Sequence, residues 1–291
     1  MDTRSFFRKT TNFFDSVFRE LNYFISVRQH RKISEDDFRQ YLTKKIKEPN
    51  VERVMPAYDL CDRDLPIKWK DNSEGLHVLI HGLNGHPSIW DGHLSTLQRE
   101  SPQMDTFVPF VPLKGQCTLK EAADPILEKI KTFIEQNRGK PVILSGVSNG
   151  GRIAAFIEYQ LRTLYPDTPI MINAIAAPMY GTQSPSETSF AQKKFQNYSV
   201  HIQRSLAFGS LESKQLLANM NESLNRDVKR KFVFFGSRND WHVTHLGSTI
   251  PKVIHACEHH ITQGYMHSGI VEGVKRQHLA IAARWIREND S

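Results

Sequence analysis

The feature that most constrains the fold of this sequence is an apolar strand that runs directly into a glycine-rich turn and then into a helix. Residues 141–147 read PVILSGV and predict a buried strand, while residues 149–164 carry apolar side chains at helical spacing. Between them lies GVSNG at 146–150, a G-x-S-x-G pattern followed by Gly151. Glycines at these places let a strand and a helix converge without side-chain clashes. Such a turn projects its serine hydroxyl from the sheet edge, which makes Ser148 a candidate nucleophile.

The chain around this turn alternates between strand and helix patterns. Predicted strands are 77–81, 106–111, 141–147, 170–177, 231–236 and 252–257, and predicted helices are 88–100, 119–137, 149–164 and 269–288. This alternation predicts an α/β fold with a mostly parallel central sheet and helices on both faces. A stretch at about 183–228 interrupts the alternation. It has a largely helical pattern and is a candidate cap over the site.

The first 50 residues form a separate unit in this reading. They contain no glycine, and their aromatic and aliphatic side chains recur at helical spacing between charged residues. We therefore expect an N-terminal amphipathic helical segment at 1–50 and a domain with a helical insert at 51–291. The segment has 11 Lys or Arg against 7 Asp or Glu, within a net charge of +7 for the chain. It could lie on an anionic membrane surface, pack on the domain, or simply present solvated helix faces.

Composition and spacing exclude several classes of protein. Only three cysteines are present and none forms a C-x-x-C pair, which argues against a disulfide framework or a structural zinc site. The sequence has no run of 18 or more apolar residues, so no membrane-spanning helix is predicted. No ordinary secretory signal is recognisable. The default expectation is therefore cytoplasmic, with peripheral membrane contact through residues 1–50. No nucleic-acid module is recognisable, and the oligomeric state is left open.

A serine hydroxyl becomes a useful nucleophile when a base, itself oriented by a carboxylate, takes its proton. When such a serine lies on a strand-to-helix turn, the acid and then the histidine follow it along the chain. Asp240 follows the predicted strand 231–236, and His267 follows the last predicted strand. The alternatives left open are the acids Asp167, Glu187 and Glu258 and the histidines His242, His245, His255, His259 and His260. The histidine-rich stretch 255–260 lacks an H-E-x-x-H spacing, so no metal site is predicted.

A serine nucleophile also needs backbone N–H groups that hold the oxyanion of a tetrahedral intermediate. One candidate donor is Asn149, the residue after the serine. The other is Leu83, in the glycine-rich loop 81–85 that follows the first predicted strand. We expect His81 to brace this loop rather than to act as the base, because it precedes Ser148 in the chain.

Together these segments resemble the α/β-hydrolase superfamily, in particular its lipase-like serine esterases. The segments that carry the resemblance are HVLIHGLNG (77–85), ILSGVSNGG (143–151), AAPMYGT (176–182), GSRNDWHV (236–243) and MHSGI (266–270). The resemblance implies Ser148 as nucleophile, Asp240 as acid and His267 as base. It also implies that Leu83 is an oxyanion donor and that 178–182 corresponds to a Pro-x-x-Gly-Thr segment of lipases.

The sequence also departs from the lipase pattern at three places. Val147 and Asn149 flank the serine where lipases often have His and Leu or Met. The usual Gly-x-x-Asp spacing falls on Asn239, one residue before Asp240. These departures bear on the acid more than on the nucleophile.

The expected function is hydrolysis of a carboxylic ester, with a lipid or acyl-chain substrate, through an acyl-enzyme and without metal or organic cofactor. The same residues would serve a thioesterase or protein deacylase. A non-catalytic, membrane-associated binding protein that retains the fold is the alternative from a different class.

Overall fold

The computed structural model describes residues 69–182, 198–224, 229–240, 242–243, 245–251 and 257–289. The expected amphipathic segment at 1–50 and the expected domain boundary at 51 lie outside these residues. Parts of the insert at 183–228 also lie outside them.

The centre of the fold is a parallel sheet of six strands in the order β2-β1-β3-β4-β5-β6. The strands are β1 Leu76–Ile80, β2 Asp105–Phe107, β3 Val142–Val147, β4 Ile170–Ile175, β5 Arg230–Ser237 and β6 Glu258–Thr262. After β1 the chain moves to one side of the sheet, and from β3 onward it moves to the other. Ligands of open parallel sheets bind at such a switch point, beyond the carboxyl ends of the strands. Here that point lies between β1 and β3.

Helices cover both faces of the sheet, as the alternating pattern predicts. They are α1 Asp91–Glu100, α2 Leu119–Gln136, α3 Asn149–Leu164, α4 Val200–Ser205, α5 Leu211–Leu224, α6 Leu246–Thr249 and α7 Ile270–Asn289. One apolar core lies between the sheet and helices α2, α3 and α5, and the other between the sheet and helices α1 and α7. Because both faces are covered, the inner strands β1, β3 and β4 are buried along their whole length.

The described part of the insert is anchored to the domain through buried arginines of α3. Arg152 is fully buried and donates hydrogen bonds to Ser213 Oγ (2.7 Å) and to Glu212 Oε1 (3.0 Å), at the start of α5. Near the carboxyl end of α3, Arg162 donates a hydrogen bond to the carbonyl of Asn219 in α5 (2.8 Å). Helix α5 therefore packs along α3 through these hydrogen bonds.

The second core contains a polar cluster of three buried histidines. His77 Nε2 lies 2.7 Å and His278 Nε2 2.8 Å from the hydroxyl of Ser145, which also accepts a hydrogen bond from Asn173 Nδ2 (3.2 Å). A hydroxyl carries one proton, so at least one of the two imidazoles must donate to it. His93 packs at the edge of this group, with its ring centroid 5.1 Å from that of His278 and the two rings tilted by 50°.

Two predicted strands differ from those in the structure. The strand expected at 106–111 ends at Phe107, before Pro109, which has no N–H to donate to a ladder. The last strand is β6, Glu258–Thr262, whereas the pattern predicted 252–257. Residues 252–256 lie outside the described part of the chain, and Cys257 precedes the strand. The polar sequence of β6 suits an edge strand that is only half covered.

Candidate active site

Ser148 occupies a strained turn between β3 and α3. Its backbone has φ 55° and ψ −128°, a conformation that a residue with a Cβ seldom adopts. The turn is held by the N–H of Ser148, which donates to the carbonyl of Ile175 (2.8 Å), and by the N–H of Gly151, which donates to the carbonyl of Ser148 (3.0 Å). Strain maintained by surrounding structure is typical of functional positions.

The glycines beside Ser148 are required by close backbone approach. A Cβ on Gly146 would lie 2.2 Å from the carbonyl carbon of Gly150, and a Cβ on Gly150 would lie 2.3 Å from the carbonyl oxygen of Ile80. Both distances are far inside van der Waals contact, so no side chain fits at either place. The G-x-S-x-G pattern therefore reflects the packing of α3 directly over the ends of β3 and β1.

The loop that follows β1 lies against the nucleophile. A Cβ on Gly82 would lie 2.8 Å from Ser148 Cβ and 3.4 Å from Ser148 Oγ. The carbonyl of Gly82 accepts hydrogen bonds from the N–H of Gly85 (3.0 Å) and from His81 Nδ1 (2.9 Å). Because a trans peptide directs its carbonyl and its N–H to opposite sides, these bonds turn the N–H of Leu83 away from them. That N–H makes no hydrogen bond within the described part of the chain.

His81 braces this loop. Its Nε2 accepts a hydrogen bond from the N–H of Val111 (3.0 Å), so Nδ1 carries the proton and donates to the Gly82 carbonyl. Burial lowers the pKa of His81, which keeps the ring neutral near pH 7 in this tautomer. Both ring nitrogens are thus occupied, and His81 has no free lone pair with which to act as a base.

The second candidate donor, Asn149, lies on the other side of the nucleophile. As the first residue of α3, its backbone N–H has no acceptor within the helix. The side chain of Asn149 is buried. A Cβ on Gly115 would lie 3.6 Å from Asn149 Nδ2 and 3.5 Å from Leu83 Cδ1, so the turn at Gly115 contacts both candidate donor residues.

The structure brings Asp240 and His267 together. Asp240 Oδ2 lies 2.7 Å from His267 Nδ1. The other oxygen of Asp240 accepts hydrogen bonds from the backbone N–H groups of His242 (2.8 Å) and Val243 (3.0 Å). A carboxylate can only accept, so Nδ1 of His267 carries the proton and Nε2 keeps its lone pair for use as a base. Ser148 Oγ itself makes no hydrogen bond to any described group.

Two residues that the sequence reasoning missed connect the acid loop to the histidine loop. Ser237 Oγ donates to the carbonyl of Tyr265 (2.5 Å), and Asn239 Oδ1 accepts the N–H of Gly264 (2.7 Å). Asn239, on which the usual Gly-x-x-Asp spacing falls, therefore holds the histidine loop.

The alternative acids and bases lie elsewhere or bind other groups. Glu258 pairs with Lys231 (2.9 Å) and His260 (2.8 Å), and Asp167 is exposed beyond the end of α3. His245 is buried against the ring of Phe208, at a centroid distance of 4.7 Å. The remaining candidates are His259, which contacts Cys257 Sγ (3.0 Å), and Glu187 and His255, which lie outside the described residues.

Among the alternative bases in the described part of the chain, His242 is the one that contacts the pair. Its ring stacks on that of His267, with centroids 4.7 Å apart and an interplanar angle of 23°. Asp240, His242 and His267 each place one potential ligand atom within 4.8 Å of the others, the only such metal-competent group among the described residues. Imidazole lone pairs lie in the ring plane, so two nearly parallel rings do not direct them at one point. The stack is therefore a poor metal site.

A further element missed by the sequence reasoning is the turn at 112–115, which lies against the loop after β1. Leu113 and Lys114 both have positive φ, at 49° and 52°, and the carbonyl of Lys114 accepts the N–H of Asn84 (2.8 Å). Gln116 then donates from Nε2 to Asn84 Oδ1 (3.0 Å) and accepts the N–H of Ser199 at Oε1 (2.9 Å). One amide thus links the candidate oxyanion loop to the insert.

Comparison with solved structures identifies the fold. A structure reported with LipS and LipT, two metagenome-derived lipolytic enzymes, superposes with a TM-score of 0.50 at 17% identity, covering 75% of this chain and 95% of that one. A lipase-esterase related protein from Clostridium acetobutylicum superposes with a TM-score of 0.50 at 14% identity, covering 73% and 96%. The chain has the α/β-hydrolase fold.

Comparison of the sequence alone finds no match. No protein-family model matches the sequence, and no curated protein matches it either. None of the helices in the described ranges is both long enough and apolar enough to cross a membrane.

Proposed function

We propose that this α/β-hydrolase cleaves carboxylic esters through an acyl-enzyme on Ser148, with His267 as base and Asp240 as the acid that orients it. The observation that carries the proposal is the 2.7 Å contact of Asp240 with His267 Nδ1, beside a serine on a strained turn. That contact selects the tautomer whose Nε2 can take a proton. The hydrogen bond from Ser148 Oγ to His267 Nε2 is part of the proposal. We expect it to form when substrate is bound, because catalytic hydrogen bonds often tighten only then.

In the first half-reaction, Ser148 Oγ attacks the ester carbonyl carbon while its proton passes to His267 Nε2. The carbonyl oxygen becomes an oxyanion, held by the N–H groups of Leu83 and Asn149. The carbon–oxygen bond to the alcohol then breaks, and His267 gives its proton to the leaving oxygen. Asp240 stabilises the imidazolium in between.

In the second half-reaction, water attacks the acyl carbon and gives a proton to His267 Nε2. The bond between Ser148 Oγ and the acyl carbon breaks, and the serine recovers its proton from the imidazolium. The products are one alcohol and one carboxylic acid, so no oxidant, metal or organic cofactor is required.

We further propose a lipid or acyl-chain substrate. Large apolar side chains are exposed in loops at the carboxyl edge of the sheet, where the site lies: Phe110 after β2, and Tyr265 and Met266 directly before His267. Exposed apolar groups beside a polar site suit an apolar chain attached to a polar ester. The aromatic-rich sequence at 1–50 supports the same substrate class and a peripheral contact with membranes.

The test is hydrolysis of p-nitrophenyl esters from acetyl to palmitoyl by the wild type and by Ser148→Ala. We expect activity that the variant lacks, with a preference for longer acyl chains. Activity that survives in Ser148→Ala would overturn the assignment of the nucleophile. A profile confined to acetyl and butyryl esters would overturn the lipid substrate while leaving the esterase.

A further inference from the structure

His242 covers one face of the proposed base. Its ring lies nearly parallel to that of His267, with centroids 4.7 Å apart. His242 itself is exposed, whereas only 15% of the His267 side chain remains accessible. The hydrogen bond between His267 and the buried carboxylate of Asp240 therefore lies beneath a second imidazole rather than directly under solvent.

The backbone of His242 is fixed on both sides. Its N–H donates to Asp240 Oδ1 (2.8 Å), and its carbonyl accepts from Thr182 Oγ1 (2.9 Å). Thr182 is buried and ends the Pro-x-x-Gly-Thr segment after β4. The backbone that carries the stacked ring is thus attached on one side to Asp240 itself and on the other to the buried Thr182.

This arrangement affects the base in two ways. The stack opposes rotation of His267 out of the plane in which Nδ1 meets Asp240, and misplacement of a catalytic group by about 1 Å can cost 100-fold in rate. In addition, when His267 becomes an imidazolium, the face of a neutral ring stabilises the charge. If residue 242 is charged as well, the two cations repel each other.

We propose that His242 is a positioning residue, which holds His267 on Asp240 by ring stacking, and that Thr182 fixes it in place. The inference rests on the proposed function, because it assigns His242 a task in the same reaction. Stacking requires only a flat ring at position 242, whereas a second acid–base group would require an imidazole nitrogen there. A variant with Phe at this position therefore distinguishes the two roles.

The experiment compares His242→Ala, His242→Phe and the matched control His259→Ala, an exposed histidine remote from the pair. We expect kcat for an ester to fall roughly 10- to 100-fold in His242→Ala, with KM within about twofold. His242→Phe keeps the ring face and is expected to restore kcat to within about threefold. Melting temperatures measured alongside show whether a variant has lost its fold.

The split between kcat and KM, together with rescue by the ring-retaining variant His242→Phe, provides a readout that a purely structural role would not give. Thr182→Val should lower kcat in the same direction as His242→Ala, and Thr182→Ser should restore it.

The positioning role of His242 and the proposed ester hydrolysis are tested separately by these experiments. An active wild type with an equally active His242→Ala overturns the inference alone, and so does an equal loss in the Ala and Phe variants. A wild type that neither hydrolyses esters nor is labelled at Ser148 by a fluorophosphonate overturns the proposed function, and the inference with it.

Discussion

The three histidines buried between the sheet and helices α1 and α7 are expected to make the fold sensitive to acid. Burial lowers the pKa of His77 to about 3 and of His93 to about 4, and it also holds the pKa of His278 well below its usual value. In the unfolded chain these imidazoles titrate near pH 6.5. Below that pH the unfolded state binds more protons than the native state, so stability decreases as the pH falls.

The size of the effect follows from the two pKa values. At pH 5 the unfolded state gains about 2 kcal/mol from protonating each histidine, while the native state still keeps His77 and His93 neutral. Together, His77 and His93 therefore lower the free energy of unfolding by about 4 kcal/mol when the pH falls from 7.5 to 5. That is a large share of the roughly 5–15 kcal/mol by which a folded domain is stable.

Substitution of His93 isolates this effect. Neither of its ring nitrogens has a hydrogen-bond partner among the described residues, and the ring packs edge-on against Trp90 at a centroid distance of 4.9 Å. In His93→Phe a similar flat ring remains and two unsatisfied polar atoms are removed. We expect the free energy of unfolding to rise by about 1–3 kcal/mol at pH 7.5. At pH 5 the gain should be about 2 kcal/mol larger, because one protonation penalty is gone.

Urea denaturation at pH 7.5 and pH 5, followed by tryptophan fluorescence, measures both quantities. The exposed His259 provides the control, since His259→Phe should leave the difference between the two pH values unchanged. If the wild type and His93→Phe lose the same free energy of unfolding between pH 7.5 and pH 5, His93 is not a buried neutral group. The reasoning would then be refuted.

Two further predictions concern a buried cation and the acid. Arg152→Met should lower the free energy of unfolding by about 3–5 kcal/mol in the same assay, because it removes the hydrogen bonds of a fully buried guanidinium. As a control, Arg99→Ala, in an exposed ion pair, should change it by less than about 1 kcal/mol. An equal effect of the two would contradict the anchoring of α5. Asp240→Asn should lower kcat about 10⁴-fold, because an amide can donate to Nδ1 and so select the wrong tautomer of His267. Ester hydrolysis measures that loss, and a change of less than tenfold would remove Asp240 from the proposed role.

Much of the fold could be predicted because local pattern and tertiary packing agree along most of the chain. The helix predicted at 149–164 has the same bounds in the structure, and the α/β-hydrolase fold is confirmed. The turn at Ser148 was recognisable because a Cβ on Gly146 or Gly150 would lie only 2.2–2.3 Å from backbone atoms, so both positions must be glycine in the sequence.

Other features leave no such mark. Strand β6 is a half-covered edge strand with a polar sequence, so the apolar run before it was the stronger signal. The attachment of the insert depends on buried arginines, which in sequence look like surface charges. The histidine cluster joins positions 77, 93 and 278, and no spacing along the chain predicts their contact.

The candidate site shows the same division. Sequence order was enough to propose Ser148, Asp240 and His267, but the one-residue offset of Asp240 from the usual Gly-x-x-Asp spacing depends on how one short loop turns. In the structure Asn239 is held by Gly264 and Asp240 faces the histidine. The stacking of His242 on His267 is likewise a consequence of that loop and could not be read from the spacing of histidines.

The most direct test of the central claim is mass spectrometry after exposure of the wild type to a fluorophosphonate, since only an activated serine reacts quickly with this probe. We predict one adduct per chain, located on Ser148. The adduct should be absent from Ser148→Ala and should form at least about 100-fold more slowly in His267→Ala. An adduct on another residue, or a labelling rate unchanged in His267→Ala, would contradict it.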